Sequence, residues 1–280
     1  MSYKLRILSL GAGVQSSTIL LMACKGQIEK PDLAIFADTG WETMATYIHL
    51  EWLKLEAGKH GIEIAVVQKM DVRDVWHPKK DASRSLVLMP TFVVAKGKRG
   101  MARRLCTGEL KIKPIRQATR KALGLLPRQR APKNCVEQWI GISTDEAQRM
   151  WSKQQAADRM QATRFPLVEM NMSRNHCIKW LWDNYQITVP KSSCVGCPFH
   201  KQSDWRNLSQ GEFKSACEHD RQIRRAAGNN RHLYLHRSCI PLEDVDLSTP
   251  EERGQGFFDF VKDEKLNLFV NNISIEVLPL

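Results

Sequence analysis

The sequence predicts an α/β protein: a mostly parallel sheet flanked by helices, followed by a smaller helical part that carries cysteines. Three strand-like segments, LRILSL, DLAIFA and IEIAVV, alternate with two helix-like segments, SSTILLMACK and MATYIHLEWLKLEAGKHG. Such a β-α-β-α-β succession is typical of a parallel sheet with helices on its faces. Beyond TRFPLVEM the pattern changes to short helical segments with Trp and Cys. We therefore expect a first part at residues 1–165 and a second, packed on it, at residues 166–280.

The remaining segments extend this scheme. GELKIKPIRQATRKAL predicts a helix, VEQWIGIS a strand, and STDEAQRMW a helix that begins with a capping box from Ser143 to Glu146. SRNHCIKWLWDNY and HLYLHRSCIPLEDVDL are expected to be short helices. The basic segment VVAKGKRGMARR has no clear periodicity, and we expect a mobile insertion next to a site. NLFVNNISIEVLPL predicts a closing strand or tail.

Composition limits the class of protein. A chain of 280 residues with 42% hydrophobic residues can bury a core, which argues against a disordered or fibrous protein. The net charge of +12 favours polyanions near the protein, and basic residues concentrate in KGKRGMARR, PRQRAPK and RQIRRAAGNNRH. These segments fit a nucleic-acid surface or an ordinary solvated surface. The sequence shows no signal-peptide pattern and no apolar run of about 20 residues, so we expect a cytoplasmic protein with no membrane contact.

The stretch SLGAGVQSST, between the first strand and the first helix, predicts an anion site. Gly11 and Gly13 permit close backbone approach, and the helix start offers unpaired N–H groups together with serine hydroxyls. The stretch is neither G-x-G-x-x-G nor an NTPase P-loop, because Ser16 stands at the third glycine and no lysine follows before Cys24. Backbone amides without a lysine suit a pyrophosphate better than γ-phosphoryl transfer.

Asp38 in FADTGWE ends the second strand, next to the glycine loop in a right-handed β-α-β unit. An acidic residue about 20 or more positions after the glycines commonly holds a ribose hydroxyl. A helix N-cap by Asp38 or Thr39 is a compatible structural role.

The cysteines predict a metal centre. SSCVGCPFH places Cys194 and Cys197 in a C-x-x-C that can present two thiolates from one turn. Cys106 and Cys239, in basic loop-like segments, are the candidates for the other two ligands. Four cysteines split in this way suit a 4Fe–4S cluster, and structural Zn²⁺ is the alternative, with His200 able to replace one cysteine.

Together, the blocks SLGAGVQSST, FADTGWE, CTGELKIKPI, GISTDEAQR, SSCVGCPFH and YLHRSCIPLEDV resemble the PP-loop ATP pyrophosphatase superfamily, the adenine nucleotide alpha hydrolase-like proteins. Within it, the order of the blocks is similar to that of the phosphoadenosine-phosphosulfate (PAPS) reductase family. The likeness runs from residue 9 to about residue 246. It implies a Rossmann-like, HUP-type fold and a site for ATP or another adenine nucleotide with Mg²⁺.

The resemblance also implies residue roles. Lys111 and Arg149 match cations directed toward the phosphates, and Arg237 precedes a cluster cysteine. Gln15 stands where the family has Asp, which bears on metal-assisted catalysis rather than on binding. With Gln15, the candidate catalytic residues are Ser16 and Lys111. The implied nucleotide-binding residues are Ser9, Gly11, Gly13, Ser16 and Ser17 for the phosphates, and Asp38, Thr39 and Gly40 for the nucleoside or its magnesium.

Three functional hypotheses follow from the resemblance. The first is an enzyme that cleaves ATP to AMP and pyrophosphate to activate a substrate, as in members that transfer sulfur from a donor protein to tRNA or DNA. The second is a sulfonucleotide reductase acting on PAPS or adenylyl sulfate, although no cysteine follows Cys239 to supply the nucleophile of that reaction. The third is a non-catalytic, metal-bound module that binds nucleic acid.

Overall fold

The computed structural model describes residues 3–76, 86–150, 159–226, 232–249 and 252–253 of the chain. The predicted closing strand or tail at residues 267–280 lies outside these ranges. Within them, no helix has both the length and the apolar character needed to span a membrane. The strands are β1 (Leu5–Leu10), β2 (Leu33–Asp38), β3 (Ile64–Gln68), β4 (Val75–Trp76), β5 (Leu86–Val87), β6 (Phe92–Ala95), β7 (Lys98–Met101), β8 (Val136–Ile140), β9 (Gln161–Arg164) and β10 (His232–Tyr234).

The helices follow the chain in a similar order. A π-helical segment, Thr107–Ile112, precedes the third α-helix, and 3₁₀ turns form at Thr144–Glu146 and Leu242–Asp244. The α-helices are α1 (Val14–Cys24), α2 (Met44–Lys59), α3 (Lys113–Ala122), α4 (Pro166–Glu169), α5 (Arg174–Tyr185), α6 (Gln202–Arg206) and α7 (Gln210–Ala226).

The main sheet has five parallel strands in the order β3-β2-β1-β8-β9. The predicted β-α-β-α-β succession is confirmed, with β1, β2 and β3 adjacent and parallel. The α/β fold class is therefore confirmed as well.

Helices cover both faces of this sheet, because side chains along each strand alternate between the faces. Leu8 and Phe36 pack with α1, α2 and α5 in one buried cluster. Ile7 and Ile35, one position away on the same strands, pack with α3 residues such as Ile115 in a second cluster on the opposite face. The result is a three-layer arrangement with β1 at its centre.

Two predictions of local structure were wrong. VVAKGKRGMARR is largely an antiparallel hairpin, β6–β7, with a turn at Lys96 and Gly97, where both residues have positive φ. HLYLHRSCIPLEDVDL begins as strand β10, which pairs with β6, and forms only a 3₁₀ turn near its end. The second half of the chain is thus not purely helical.

The segment that contains the C-x-x-C turn is hydrogen-bonded to the loop after β2. Val195 N–H donates to the carbonyl oxygen of Trp41 at 2.8 Å, and Thr43 N–H donates to that of Ser193 at 3.2 Å. Glu42 and Cys194 form an isolated antiparallel bridge between these bonds. The division of the chain at residue 165 stays a prediction, but these contacts bring the cysteine segment to the carboxyl edge of the sheet.

Candidate functional site

The site lies where the strand order reverses. From β1 the chain adds β2 and β3 on one side of the sheet, and β8 and β9 on the other. In open α/β sheets, ligands bind outside the carboxyl ends of the strands at this reversal, where neighbouring connections leave the sheet on opposite faces. The loop at residues 11–13 and the loop at residues 141–143 flank this position.

The glycine loop leaves the start of α1 open. Gly13 is the N-cap residue of α1 and provides no side-chain cap. The backbone N–H groups of Val14, Gln15 and Ser16 have no acceptor among the described residues. Unpaired amides at the positive end of a helix dipole form an anion site.

The Ser16 hydroxyl closes the loop. It accepts a hydrogen bond from Gly11 N–H at 3.1 Å and donates to the carbonyl oxygen of Gly13 at 3.3 Å. Ala12, between them, has a φ of 50°, a left-handed conformation that is uncommon for alanine. The loop is therefore held in a strained, defined shape by its own serine, as expected for a preformed binding loop.

The hydroxyls of Ser9 and Ser17 support the loop from beneath. Ser17 is fully buried, with Oγ 2.9 Å from Nε2 of His49, and Ser9 Oγ accepts from Gln138 Nε2 at 2.7 Å. Both hydroxyls thus have partners within the protein, and their expected contact with phosphate stays a prediction. The candidate anion site consists of the backbone amides of the loop.

Gln15 is held by residues from two other elements. Its Nε2 donates to Oε2 of Glu146 at 3.2 Å and lies 3.4 Å from the Ser143 hydroxyl. Its Oε1 accepts from Nη1 of Arg174 at 2.9 Å. Arg149 in turn pairs with Glu146 at 2.7 Å. Gln15 thus connects the anion site to two arginines and one carboxylate.

This network corrects the predicted capping box and adds Arg174 to the candidate site. Ser143 makes no capping bond at the Thr144–Glu146 turn, because Ser143 and Glu146 both face Gln15. Arg174 was not among the predicted site residues. The sequence held only a weak signal for it, the Ser-Arg at a helix start, because its position beside the loop depends on the packing of α5 against α1.

Gly141 permits the close approach of the loop after β8. A Cβ at this position would lie 2.9 Å from the backbone nitrogen of Ser16 and 3.2 Å from the carbonyl carbon of Gln15. Both atoms belong to the first turn of α1, which cannot give way as a flexible side chain can. Any larger residue at position 141 would displace the amides of the anion site.

The end of β2 lies level with the loop. Leu10 of β1 pairs with Phe36 of β2, so Asp38 stands two positions beyond that pair at the same edge of the sheet. Asp38 Oδ1 accepts from Gly40 N–H and from the Tyr47 hydroxyl, both at 2.8 Å. Its Oδ2 has no hydrogen-bond partner in the described part of the chain and remains able to accept from a ligand.

Beside Asp38 lies a buried charged cluster. Thr39 Oγ1 donates to Glu42 Oε1 at 2.9 Å, and Lys111 Nζ lies 3.4 Å from the same oxygen. Burial opposes the charge of Lys111, but its polar neighbours, the Glu42 carboxylate foremost, outweigh this effect, so the pKa of Lys111 stands above its usual value. The Glu42 side chain is fully buried, and its Oε2 has no partner among the described residues.

Cys194 belongs to this cluster. Its Sγ lies 3.1 Å from Thr39 Oγ1 and 3.7 Å from Glu42 Oε1. Burial, with the nearby carboxylate of Glu42, raises the pKa of the Cys194 thiol far above its ordinary range. In the protein without a metal, this environment favours the neutral thiol of Cys194.

The other predicted ligands are only partly brought together. Burial raises the pKa of the Cys197 thiol, and Cys106 packs against the same buried cluster as Cys194. Cys239 donates to the carbonyl oxygen of Arg237 at 3.7 Å, and His200 Nε2 bonds the carbonyl oxygen of Cys194 at 2.8 Å.

Across the described ranges, no three His, Cys, Asp or Glu side chains form a group that could hold a metal ion. Cys106, Cys194, Cys197 and Cys239 therefore do not form one such group in the described part of the chain. The 4Fe–4S cluster, with its zinc alternative, stays a prediction from sequence, and no chemical step below involves it.

The fold and the site define an α/β protein with an anion-type site at the reversal of its strand order. No family model matches the chain, and no curated protein does. Among solved structures, the chain is similar to phosphoadenylyl-sulfate (PAPS) reductase from Candida auris in a phosphate complex, at 16% sequence identity and a TM-score of 0.37. The match covers 68% of this chain and 75% of that one. A similarity of this degree concerns the fold alone.

Proposed function

We propose that the protein is an adenine-nucleotide-binding enzyme that cleaves ATP to AMP and pyrophosphate in order to activate a substrate. One observation carries this proposal: the unpaired amides of Val14, Gln15 and Ser16 lie at the reversal of the strand order. This is the place where α/β proteins bind nucleotides, and the helix dipole favours a polyanion there.

The charge distribution favours attack at the α-phosphorus. The loop carries no lysine of the kind that a P-loop places on the β- and γ-phosphates. Arg174, beside Gln15, supplies a guanidinium that can bind two phosphate oxygens at once. Amides and arginine together suit a pyrophosphate that accumulates charge as it leaves.

The proposed step transfers AMP. An oxygen of the acceptor forms a bond to the α-phosphorus, the bond from that phosphorus to the bridging oxygen breaks, and pyrophosphate leaves with the electron pair. The loop amides and Arg174 stabilise the negative charge that develops on the leaving group. Asp38 Oδ2 accepts a hydrogen bond from a ribose hydroxyl and fixes the nucleoside.

Gln15 acts as a positioning residue in this scheme. Position 15 itself carries no carboxylate. Glu146, whose Oε2 accepts a hydrogen bond from Gln15 Nε2, provides one beside it. Mg²⁺ arrives with the phosphates and needs only one or two carboxylates from a protein, and Glu146 fits that role. Lys111 places a positive charge beside Thr39, at the nucleoside end of the site, and Arg149 holds Glu146.

We propose a nucleic acid as the acceptor, with sulfur transfer from a donor protein as the reaction that uses the activated oxygen. The net charge of +12 supports a polyanionic partner. Activation by AMP makes the acceptor oxygen a good leaving group for a sulfur nucleophile.

The test uses Gly13→Asp. A Cβ at Gly13 meets its nearest neighbour, Ser192 Cβ, at an ordinary 3.5 Å, and the backbone is already extended as in an N-cap residue. Aspartate is a favourable N-cap, so α1 should gain stability, yet its carboxylate occupies the amides and repels phosphate. We expect ATP affinity to fall at least tenfold and AMP and pyrophosphate release to fall with it, while the free energy of unfolding does not decrease.

The matched control is Gly211→Asp in the first turn of α7, where an added Cβ has no neighbour within 4 Å. It adds the same charge at a second helix start, and ATP affinity should stay within twofold of the parent. Equal ATP affinity in Gly13→Asp and the parent would contradict the proposal. So would the absence of AMP from the parent with ATP and Mg²⁺, tested with and without tRNA and DNA, or release of sulfite from adenylyl sulfate.

A further inference from the structure

A second concave surface carries a dense positive charge. A cavity of about 620 Å³ lies between α3, the following turn and the residues that precede β9. Its lining contains six basic residues and no acidic residue. The basic residues of this groove are Lys113, Arg116, Arg120, Arg128, Arg130 and Arg159.

The groove lies toward the opposite edge of the sheet from the anion site. Arg130 precedes β8 and Arg159 precedes β9, so both are near the amino ends of those strands. The groove is nevertheless connected to the site along α3. Lys113, Arg116 and Arg120 lie on one face of that helix, spaced over about 10 Å at 1.5 Å per residue. The helix begins two residues after Lys111, which contacts Glu42 in the site.

Some cations of the groove have structural partners, and others are exposed to solvent, where a ligand can reach them. Arg120 Nη2 donates to the carbonyl oxygens of Leu126 and Gln129 and fixes the turn after α3. Lys113 pairs with Glu109. Arg128, Arg130 and Arg159 are exposed, and no ion pair to them occurs within the described ranges.

The turn presents its arginines at some conformational cost. Arg128 has a φ of 64°, in the left-handed region where residues other than glycine are uncommon. The Arg120 bonds to the carbonyls of Leu126 and Gln129, on either side, hold this conformation. Arg120 thus fixes the turn that carries Arg128 and Arg130, and both of these arginines line the groove.

We propose that this groove binds the phosphate backbone of the nucleic-acid substrate. Five of its six cations are arginines, whose planar guanidinium binds phosphate oxygens in pairs, and Gln117 and Gln129 add neutral donors. A nucleic-acid duplex offers one charge per about 1.7 Å of its axis, and these charges lie on phosphate oxygens, which paired guanidinium donors bind. The inference rests on the proposed function only in naming nucleic acid as the substrate, since binding in the groove requires no ATP.

The test measures fluorescence anisotropy of a fluorescein-labelled 30-nucleotide RNA and a 30-base-pair DNA duplex, without ATP. The variant Arg128→Gln with Arg130→Gln removes two exposed cations whose side chains make no ion pair or hydrogen bond within the described ranges. The matched control is Lys214→Gln with Arg225→Gln, two exposed cations of α7, which changes the net charge equally. Urea unfolding checks that both variants are folded as stably as the parent.

We expect the groove variant to bind at least one of the probes about tenfold or more weakly and the control to stay within twofold. For that probe, the slope of log affinity against log salt should fall by about 1.4 to 1.8, because each lost phosphate contact contributes 0.7 to 0.9. Equal losses in both variants, or no loss in the groove variant, would overturn the proposal. Labelled polyglutamate that binds as tightly and loses as much would instead identify an acidic protein as the ligand.

The two proposals fail separately. Gly13→Asp should lose ATP and keep nucleic acid, and the groove variant should lose nucleic acid and keep ATP. Suppose that the groove variant loses nucleic-acid binding and that the parent does not bind ATP. This result would support the groove as a nucleic-acid site and would reject the ATP-cleaving function.

Discussion

Gln15 and Glu146, 131 positions apart in the sequence, are joined by a hydrogen bond of 3.2 Å from Nε2 to Oε2. Glu146 also pairs with Arg149, and Gln15 accepts from Arg174. A neutral amide at the anion loop is thus placed between an acidic residue and a basic one. In the proposed function, Glu146 of the turn after β8 provides the carboxylate beside the loop, and this role can be tested by substitution.

Glu146→Gln should lower Mg²⁺-dependent AMP formation about 10- to 100-fold, the loss of one charge-assisted contact of roughly 1.5 to 3 kcal/mol. ATP affinity measured in EDTA should change less than twofold, because no magnesium is held there. The control is Glu169→Gln, which breaks a comparable surface pair with Arg164 away from the loop. An unchanged dependence on Mg²⁺ concentration in Glu146→Gln would exclude this carboxylate from the metal site.

Arg174→Ala should weaken ATP binding about 10- to 100-fold, since it removes the guanidinium nearest the loop amides. The residue opens the first turn of α5, where a cation interacts unfavourably with the helix dipole. The free energy of unfolding should therefore not fall, which separates a binding role from a structural one. Isothermal titration with ATP measures the first quantity and urea unfolding the second.

Two further variants sharpen this prediction. Arg174→Lys keeps the charge but not the paired donors, and should recover only part of the affinity. Lys179→Ala, on the same helix and paired with Asp183 at the surface, should leave ATP affinity unchanged. If Lys179→Ala weakened ATP binding as much as Arg174→Ala does, the loss would reflect the total charge of α5 and not a specific contact of Arg174.

Gly141→Ala should both destabilise the protein and weaken ATP binding, because the new Cβ would lie 2.9 Å from the backbone nitrogen of Ser16. We expect a loss of about 1 to 3 kcal/mol in the free energy of unfolding, typical of overpacking at a rigid contact. Gly58→Ala is the control, because an added Cβ in α2 has no neighbour within 4 Å. That variant should be more stable than the parent, by up to about 1 kcal/mol. Equal stability of Gly141→Ala and the parent would show that the loop after β8 can move away.

The sequence predicted those parts of the molecule that depend on local patterns. The strands β1, β2 and β3 are apolar runs bounded by turn residues, and the glycine loop with Asp38 follows directly from that order. The hairpin β6–β7 was missed because all four residues of β7 are exposed, so no apolar alternation marks this strand. In addition, β6 gains its other partner from β10, far along the chain.

The parts of the site that the sequence did not predict depend on packing between distant segments. Arg174 reaches Gln15 only because α5 packs on α1, and neither residue's neighbours in sequence encode that contact. The cysteine ligand set stays a prediction, and the sequence supports only one half of it. Spacing places Cys194 and Cys197 in one turn, but it does not determine where Cys106 and Cys239 lie, and Glu42 beside Cys194 was not visible from the motif.

Folding stability should fall as the pH drops from about 6.5 toward 4, and His49 accounts for part of this dependence. Burial lowers the pKa of His49 to about 4, and its Nε2 lies 2.9 Å from the buried Ser17 hydroxyl under the loop. Above pH 6.5 the histidine is neutral in both states, so its contribution is complete. Below that pH, His49 binds a proton in the unfolded chain but not in the folded protein, and this difference favours unfolding.

His49→Gln keeps a hydrogen-bond partner for Ser17 but cannot be protonated. Urea unfolding at pH 7.5 and pH 5.0 measures the difference in unfolding free energy for parent and variant. That difference should be smaller in the variant by up to about 2 kcal/mol, the value of 1.5 pH units of differential protonation. Burial also lowers the pKa of His219 to about 4, so some pH dependence of the same sign should remain in the variant. An identical pH dependence in parent and variant would mean that His49 is accessible to protons in the folded state.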